Sequence, residues 1–221
     1  KEMFDLSNKV AIVTGGGRGI GKFIATGLAE AGSNLVIASR KVEECRKTAQ
    51  ELETLRVKVL ALKLDMTSSQ DIESLVDTAM QAFGGVDILV NNAAYQHHQK
   101  TIEDISDEQL DTTFRTNIFG YFYMVRAAMK HLAPGSSIVN CGSITGLEGS
   151  PELLDYSATK GAIHAFTKSL AKNLAEKKIR VNCVSPGPVW TPLNVADKDA
   201  KEVADHGADT PMKRPAQPEE I

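Results

Sequence analysis

Six short runs rich in β-branched residues, separated by longer amphipathic stretches, narrow the folds open to this chain more than any other feature. Residues 9–14 (KVAIVT), 34–38 (NLVIA), 58–64, 86–90 (VDILV), 137–140 and Arg180–Val184 read as strands. The periodicity between them predicts helices over 19–31, 41–55, 68–83, 106–132 and 156–175. Strands that alternate with helices join by right-handed crossovers, so the pattern predicts an α/β fold, a parallel sheet covered by helices on both faces. At 221 residues the chain suits one core, and 1–221 reads as a single domain. From Pro186 onward prolines and charges replace the periodic pattern, and 188–215 reads as a lid over the site.

In such a sheet, ligands bind beyond the carboxyl ends of the strands. The first strand runs into Thr14-Gly15-Gly16-Gly17-Arg18-Gly19-Ile20-Gly21. Glycines let a backbone approach an anion closely, and the N–H groups and dipole of the following helix favour negative charge. The spacing is TGxxxGxG rather than GxGxxG. Gly16 to Lys22 also fits the opening of a phosphate-binding loop for nucleoside triphosphates, but Phe23 stands where that motif needs a hydroxyl for magnesium. A dinucleotide cradle is therefore the reading taken. The second strand ends in Ser39-Arg40-Lys41. An acid there would accept from ribose hydroxyls and repel a 2′-phosphate, whereas Ser39, Arg40 and Arg18 can bond one. NADP(H) is favoured on this ground, with NAD(H) as the alternative. Glu43 and Glu44 read as a solvated helix face.

Tyr156 and Lys160 lie four apart on one predicted helix and so share a face. A tyrosine near its ordinary value of about 10 is a poor base, and a neighbouring ammonium is expected to lower it. Ser143 follows the fifth strand, Asn117 lies within the helix over 106–132, and Asn91-Asn92-Ala93-Ala94 follows the fourth strand. Singly, Ser143 could be a turn residue, Asn117 a helix-to-loop bond and Asp65 a helix cap.

Together these motifs resemble the short-chain dehydrogenase/reductase family. TGGGRGIG at 14–21, Asp65, NNAA at 91–94, Asn117, Ser143, YSATK at 156–160 and PGPVWTP at 186–192 follow its order and spacing over about 6–191. The resemblance implies a Rossmann-type doubly wound sheet. It implies Tyr156 as the acid for carbonyl reduction and the base for alcohol oxidation, with Ser143 bonding the substrate oxygen. Lys160 would hold the nicotinamide ribose and lower the Tyr156 pKa, and Asn117 would hold a water linking Lys160 to solvent. The implied cofactor set is Gly15, Gly17, Arg18, Gly19, Ile20, Gly21, Ser39, Arg40, Asp65 and Met66 on the adenosine and phosphate side. It continues with Asn91 and Ala93 along the groove, Tyr156 and Lys160, and Pro186, Gly187, Val189 and Thr191 at the nicotinamide. Hydride transfer between the cofactor and a small carbonyl or alcohol substrate follows. A non-catalytic nucleotide sensor of the same fold is the alternative, which the presence of both Tyr156 and Lys160 disfavours.

Two departures stand out. Ala94 occupies a position usually held by Gly, and the family's last helix and seventh strand, expected after 218–220, are missing from the pattern. The family also implies a homotetramer or homodimer packed through helices near 106–132 and 156–176. The substrate is less specified. A polar 95–99 segment (YQHHQ) suits a keto, sugar-acid or polyol compound, or is an exposed loop; Glu148 could contribute, and Trp190, Leu193 and Met212 could supply apolar walls. No metal is expected, because the adjacent histidines lack a third ligand. A net charge of −3 without a basic stripe argues against nucleic acid. The absence of a long apolar run argues against a membrane. Three cysteines in no metal-like spacing, with Cys141 and Cys183 expected to be buried thiols, fit a reducing cytoplasm.

Overall fold

The computed structural model describes residues 2–195 and 200–221. In chain order the elements are β1 (Val10–Thr14), α1 (Gly19–Glu30), β2 (Asn34–Ser39), α2 (Val42–Glu53), β3 (Val59–Lys63), α3 (Ser69–Phe83), β4 (Val86–Asn91) and α4 (Asp107–Phe114). After a π turn at Arg115–Phe119 come α5 (Gly120–Ala128), β5 (Leu132–Cys141), α6 (Thr145–Glu148), α7 (Leu154–Leu174), β6 (Arg180–Val184), α8 (Pro192–Val195) and α9 (Ala200–Ala204).

Every strand pair is parallel, in the order β3-β2-β1-β4-β5-β6. This is the expected Rossmann-type sheet, with β6 at its edge. Winding reverses at β1, which pairs with β2 on one side and β4 on the other, so a crevice opens above their carboxyl ends. Alternation along the strands divides the core. Ala11, Val13, Leu35 and Ile37 pack with Ala25 and Ala29 of α1 and with Cys45, Ala49 and Leu52 of α2. Ile12, Val36, Leu89 and Ile138 pack on the opposite face with Ile72 and Leu75 of α3, Tyr121 and Met124 of α5, and Ile163 of α7. Because β1 is buried on both faces, it reads as a continuous apolar run. Local signals set the ends of α3: Ser68 accepts from Asp71 N at 3.1 Å, and Gly84 closes the helix at φ 75°.

Three elements differ from expectation. The helix predicted over 106–132 is interrupted by the π turn and ends at Ala128. A π turn inserts one extra residue into the helical repeat, which apolar periodicity does not reveal. Strand β5 starts at Leu132 rather than 137: Leu132 pairs with Val86, the register then shifts, and Ser137 pairs with Ile88. Pro134 and Gly135, which look like a break in the sequence, bulge outward there. The tail is more ordered than a loop. Trp190 N donates to Ala216 O and Ala216 N to Pro188 O, both at 2.8 Å, tying together the two ends of the expected lid. Within it α8 and α9 form, while 196–199 of the lid lie outside the described residues. Among the described residues no helix is long and apolar enough to cross a membrane.

Candidate active site

A cleft of about 1510 Å³ lies over the carboxyl ends of β1, β2, β4 and β5. Its floor is made where β1 and β4 separate. The Thr14 hydroxyl accepts from Asn92 N at 3.0 Å and Ala93 N at 3.1 Å, and Asn92 Nδ2 donates to Thr14 O at 3.0 Å. The glycine turn closes on itself here. Gly15 holds φ +69°, and a Cβ on Gly21 would lie 2.2 Å from the Gly15 carbonyl oxygen, so only glycine allows the approach. Arg18, the N-cap of α1, has extended backbone and makes no side-chain cap bond, and the first turn of α1 contains no acid. The first N–H groups of a twelve-residue helix are thus left without a side-chain cap beside the cleft, which suits a phosphate group.

Gly15, Gly17, Arg18, Gly19, Ile20, Gly21, Ser39, Arg40, Asp65, Met66 and Ala93 all line this cleft, as do Ser143, Tyr156, Lys160, Pro186, Gly187 and Thr191. Asp65 also ends β3 with a local turn, its Oδ1 accepting from Thr67 N at 2.9 Å and Thr67 Oγ1 at 2.8 Å. These bonds, led by the backbone one, hold its carboxyl below the usual value, and the Arg40 charge adds to them. Ser39 Oγ donates to Lys41 O at 3.1 Å and contacts Cys45 Sγ at 3.2 Å.

Three candidates lie off the wall. Asn91 is fully buried and donates from Nδ2 to Asn140 Oδ1 at 3.0 Å, while its neighbour Asn92 lines the cleft. Val189 is buried and bridges to Ala216. Asn117 sits in the π turn with its amide engaged: Oδ1 accepts from Tyr95 N at 2.8 Å, and Nδ2 donates to Tyr95 O at 2.9 Å and Thr159 Oγ1 at 3.1 Å. Its side chain thus anchors the segment that begins at Tyr95.

Tyr156 and Lys160 stand on adjacent turns of α7, with Lys160 Nζ 5.4 Å from the Tyr156 ring centroid. Nζ donates to the Cys141 carbonyl at 2.6 Å and lies 5.5 Å from the Tyr121 ring. Burial works against the lowering of Tyr156 expected from the sequence. Burial pushes Tyr156 well above its ordinary value, with the Cys141 thiol adding to the rise and a hydrogen bond with Ser143 opposing it. Burial also brings Lys160 down to about 8. Desolvation disfavours the charged form of each group. At neutral pH the pair is therefore ammonium beside protonated phenol. Ser143 Oγ contacts Thr145 Oγ1 at 3.0 Å and accepts from Thr145 N at 3.2 Å, which fixes it at the mouth of β5.

The other wall is formed by Gln96 and His98 of the 95–99 segment, with Glu148 and Leu193, and by three residues with no motif to announce them, Thr145, Ser150 and Glu152. Asp205 and Asp209 approach from the tail. Trp190 and Met212 are exposed and lie outside this lining. Among the described residues no group of three or more His, Cys, Asp or Glu could hold a metal. The cysteines are free, Cys45 and Cys141 buried and Cys183, expected to be buried, only half-buried.

Comparison with known proteins places this geometry. Residues 9–202 match the short chain dehydrogenase family. A glucose and ribitol dehydrogenase of Daucus carota is 45% identical over 223 residues, covering 98% of this chain and 77% of that protein. An NADPH-dependent, chloroplastic aldehyde reductase of Arabidopsis thaliana is 43% identical over 223 residues, with the same shares covered. Among solved structures, a short chain dehydrogenase of Burkholderia cenocepacia in complex with NADP superposes with a TM-score of 0.91 at 32% identity, over 97% of this chain and 87% of that one.

Proposed function

This chain belongs to the short-chain dehydrogenase family and is an NAD(P)-dependent oxidoreductase; on that footing we propose that it exchanges hydride between NADP(H) and a small, neutral, hydroxylated carbonyl or alcohol. The observation that carries the reading is one cleft holding both the glycine turn and the Ser143–Tyr156–Lys160 group. The dinucleotide, when bound, supplies or takes up the hydride. The residues present fit it. The turn Gly15–Gly21 and the start of α1 suit its phosphates, and Ser39 and Arg40 suit a 2′-phosphate. Asp65 and Met66 suit the adenine end, while Tyr156, Lys160, Pro186, Gly187 and Thr191 flank the other end. The preference for the phosphorylated cofactor draws support from the NADP held by the Burkholderia cenocepacia protein and the NADPH dependence named for the Arabidopsis thaliana one.

Tyr156 is the proton donor at the substrate oxygen, and burial keeps it protonated at neutral pH. Ser143 holds the same oxygen and offsets its developing charge. Lys160 is cationic below about pH 8 and draws negative charge toward the Tyr156 end of the cleft. Glu148 and Glu152 favour a neutral polyol or hydroxyaldehyde over a sugar acid, because carboxylates accept from hydroxyl groups and repel an anion. The Daucus carota relative, named for glucose and ribitol, agrees with that class. The 188–215 segment acts as a lid on a single catalytic domain. Leu110, Phe119 and Phe122 on α4, the π turn and α5 are exposed, and Phe122 stacks on Phe166 of α7 at 3.9 Å, so a homodimer or homotetramer would pack through these helices. Free thiols suit a cytoplasmic setting.

A panel of aldehydes, ketones and neutral polyols, followed by nicotinamide absorbance with both cofactors, tests the proposal. Turnover of a hydroxylated carbonyl with NADPH preferred is expected. Preference for NADH, or for acidic sugars, would overturn the corresponding part.

A further inference from the structure

Immediately before Tyr156 lies a buried carboxylate: Asp155 is 4% exposed. Its Oδ1 accepts from Tyr156 N at 2.9 Å. Its Oδ2 accepts from the Thr113 hydroxyl at 2.6 Å and from Gln109 Nε2 at 3.2 Å, both on α4. Burying such a group is costly unless its lone pairs are satisfied, and here both oxygens have partners. A carboxylate only accepts, so Gln109 must turn its NH₂ group toward Asp155 and present its carbonyl oxygen on the other side. That oxygen accepts from Gln99 Nε2 at 2.7 Å. Gln109 Nε2 also reaches the His97 carbonyl at 3.5 Å, and Gln99 N donates to Glu152 O at 2.9 Å. Gln96 and His98 of the same segment line the cleft.

We propose that Asp155 is a positioning residue whose charge sets the direction of the Gln109–Gln99 amide chain, and that Gln109 is a specificity-determining link. Together they hold the 95–99 wall segment in register with the first turn of α7, which carries Tyr156. The inference rests on the proposed function, because it takes the 95–99 wall to face substrate. An apolar pair would hold α4 against α7 equally well but would fix no direction in the amide chain. The polar chain couples where the substrate lies to where the proton comes from.

Asp155→Asn tests the direction, since an amide can donate and lets Gln109 and Gln99 reverse. In the full-length chain, amide hydrogen exchange at Gln99 should rise about tenfold in Asp155→Asn, although position 99 is remote from it in sequence. Gln109→Ala should raise KM for a hydroxylated carbonyl about fivefold, leaving kcat and NADPH affinity within about twofold. Thr113→Ser should behave as the parent, and Thr113→Val should reproduce part of the exchange change. Unchanged exchange at Gln99 in Asp155→Asn would overturn the proposal, as would a Gln109→Ala loss shared equally by NADPH affinity, kcat and KM. A parent chain inert on every carbonyl and polyol would sink the oxidoreductase reading, while the exchange comparison would still decide the link.

Discussion

The two sides of the cleft are built on opposite plans. On the β1–α1–β2 side the surface is mainly backbone: glycines, a helix start without a side-chain cap, and strand ends stitched by Thr14 and Asn92. On the side formed by 95–99, 144–153 and the tail, the surface is mainly side chains, and 95–99 is held by bonds to Asn117 and Gln109. A backbone surface recognises what all its ligands share, the phosphates, and tolerates almost no change. A side-chain surface recognises what differs between ligands and can change piece by piece.

Substitutions that affect one side and spare the other sharpen that contrast. The largest effect is expected from Gly21→Ala, because its new methyl would meet the Gly15 carbonyl. Titration should find NADPH affinity lowered about a hundredfold, with an unfolding free energy about 2–3 kcal/mol smaller. Normal cofactor binding would break the backbone-surface account. Lys160→Met comes next. The ordinary lysine value is 10.5, and the folded one lies near 8. Between them the unfolded chain binds a proton that the folded chain has released, so stability rises with pH in that window. The cost of the buried ammonium is in full force below about pH 8. Wild type should therefore gain on Lys160→Met by up to about 1.4 kcal/mol per pH unit above about 8, measured by denaturant unfolding. A constant difference would contradict the buried cation. Arg40→Ala should weaken NADPH about tenfold and leave NADH nearly unchanged in paired titrations. Equal losses would remove Arg40 from 2′-phosphate recognition. Smallest is Glu148→Gln, with KM for a neutral polyol raised about threefold or less and discrimination against sugar acids relaxed. An effect on NADPH affinity would blur the two sides.

The same contrast explains what could be read beforehand. Backbone recognition needs residue types at fixed local spacing, so the glycine turn, the Tyr156–Lys160 pair and the parallel sheet were legible. The 91–92 pair was not, because two adjacent asparagines look alike in sequence, yet strand alternation sends Asn91 inward to Asn140 and leaves Asn92 at the cleft. Asn117 was visible as a residue, but the π turn that aims its amide at Tyr95 was not. The raised pKa of Tyr156 and the lowered one of Lys160 come from how deeply both are buried, which spacing alone does not carry. Thr145 and Glu152 join the wall only through tertiary packing and had no local signal.

Tyr156→Phe, assayed for NADPH binding and turnover on the same sample, tests the central claim most directly, because it removes one oxygen between the two sides of the cleft. The account predicts a dissociation constant within about twofold of wild type and turnover lowered by about 10³-fold. Turnover close to wild type would mean that another group gives the proton, and the chemistry assigned to this cleft would be wrong.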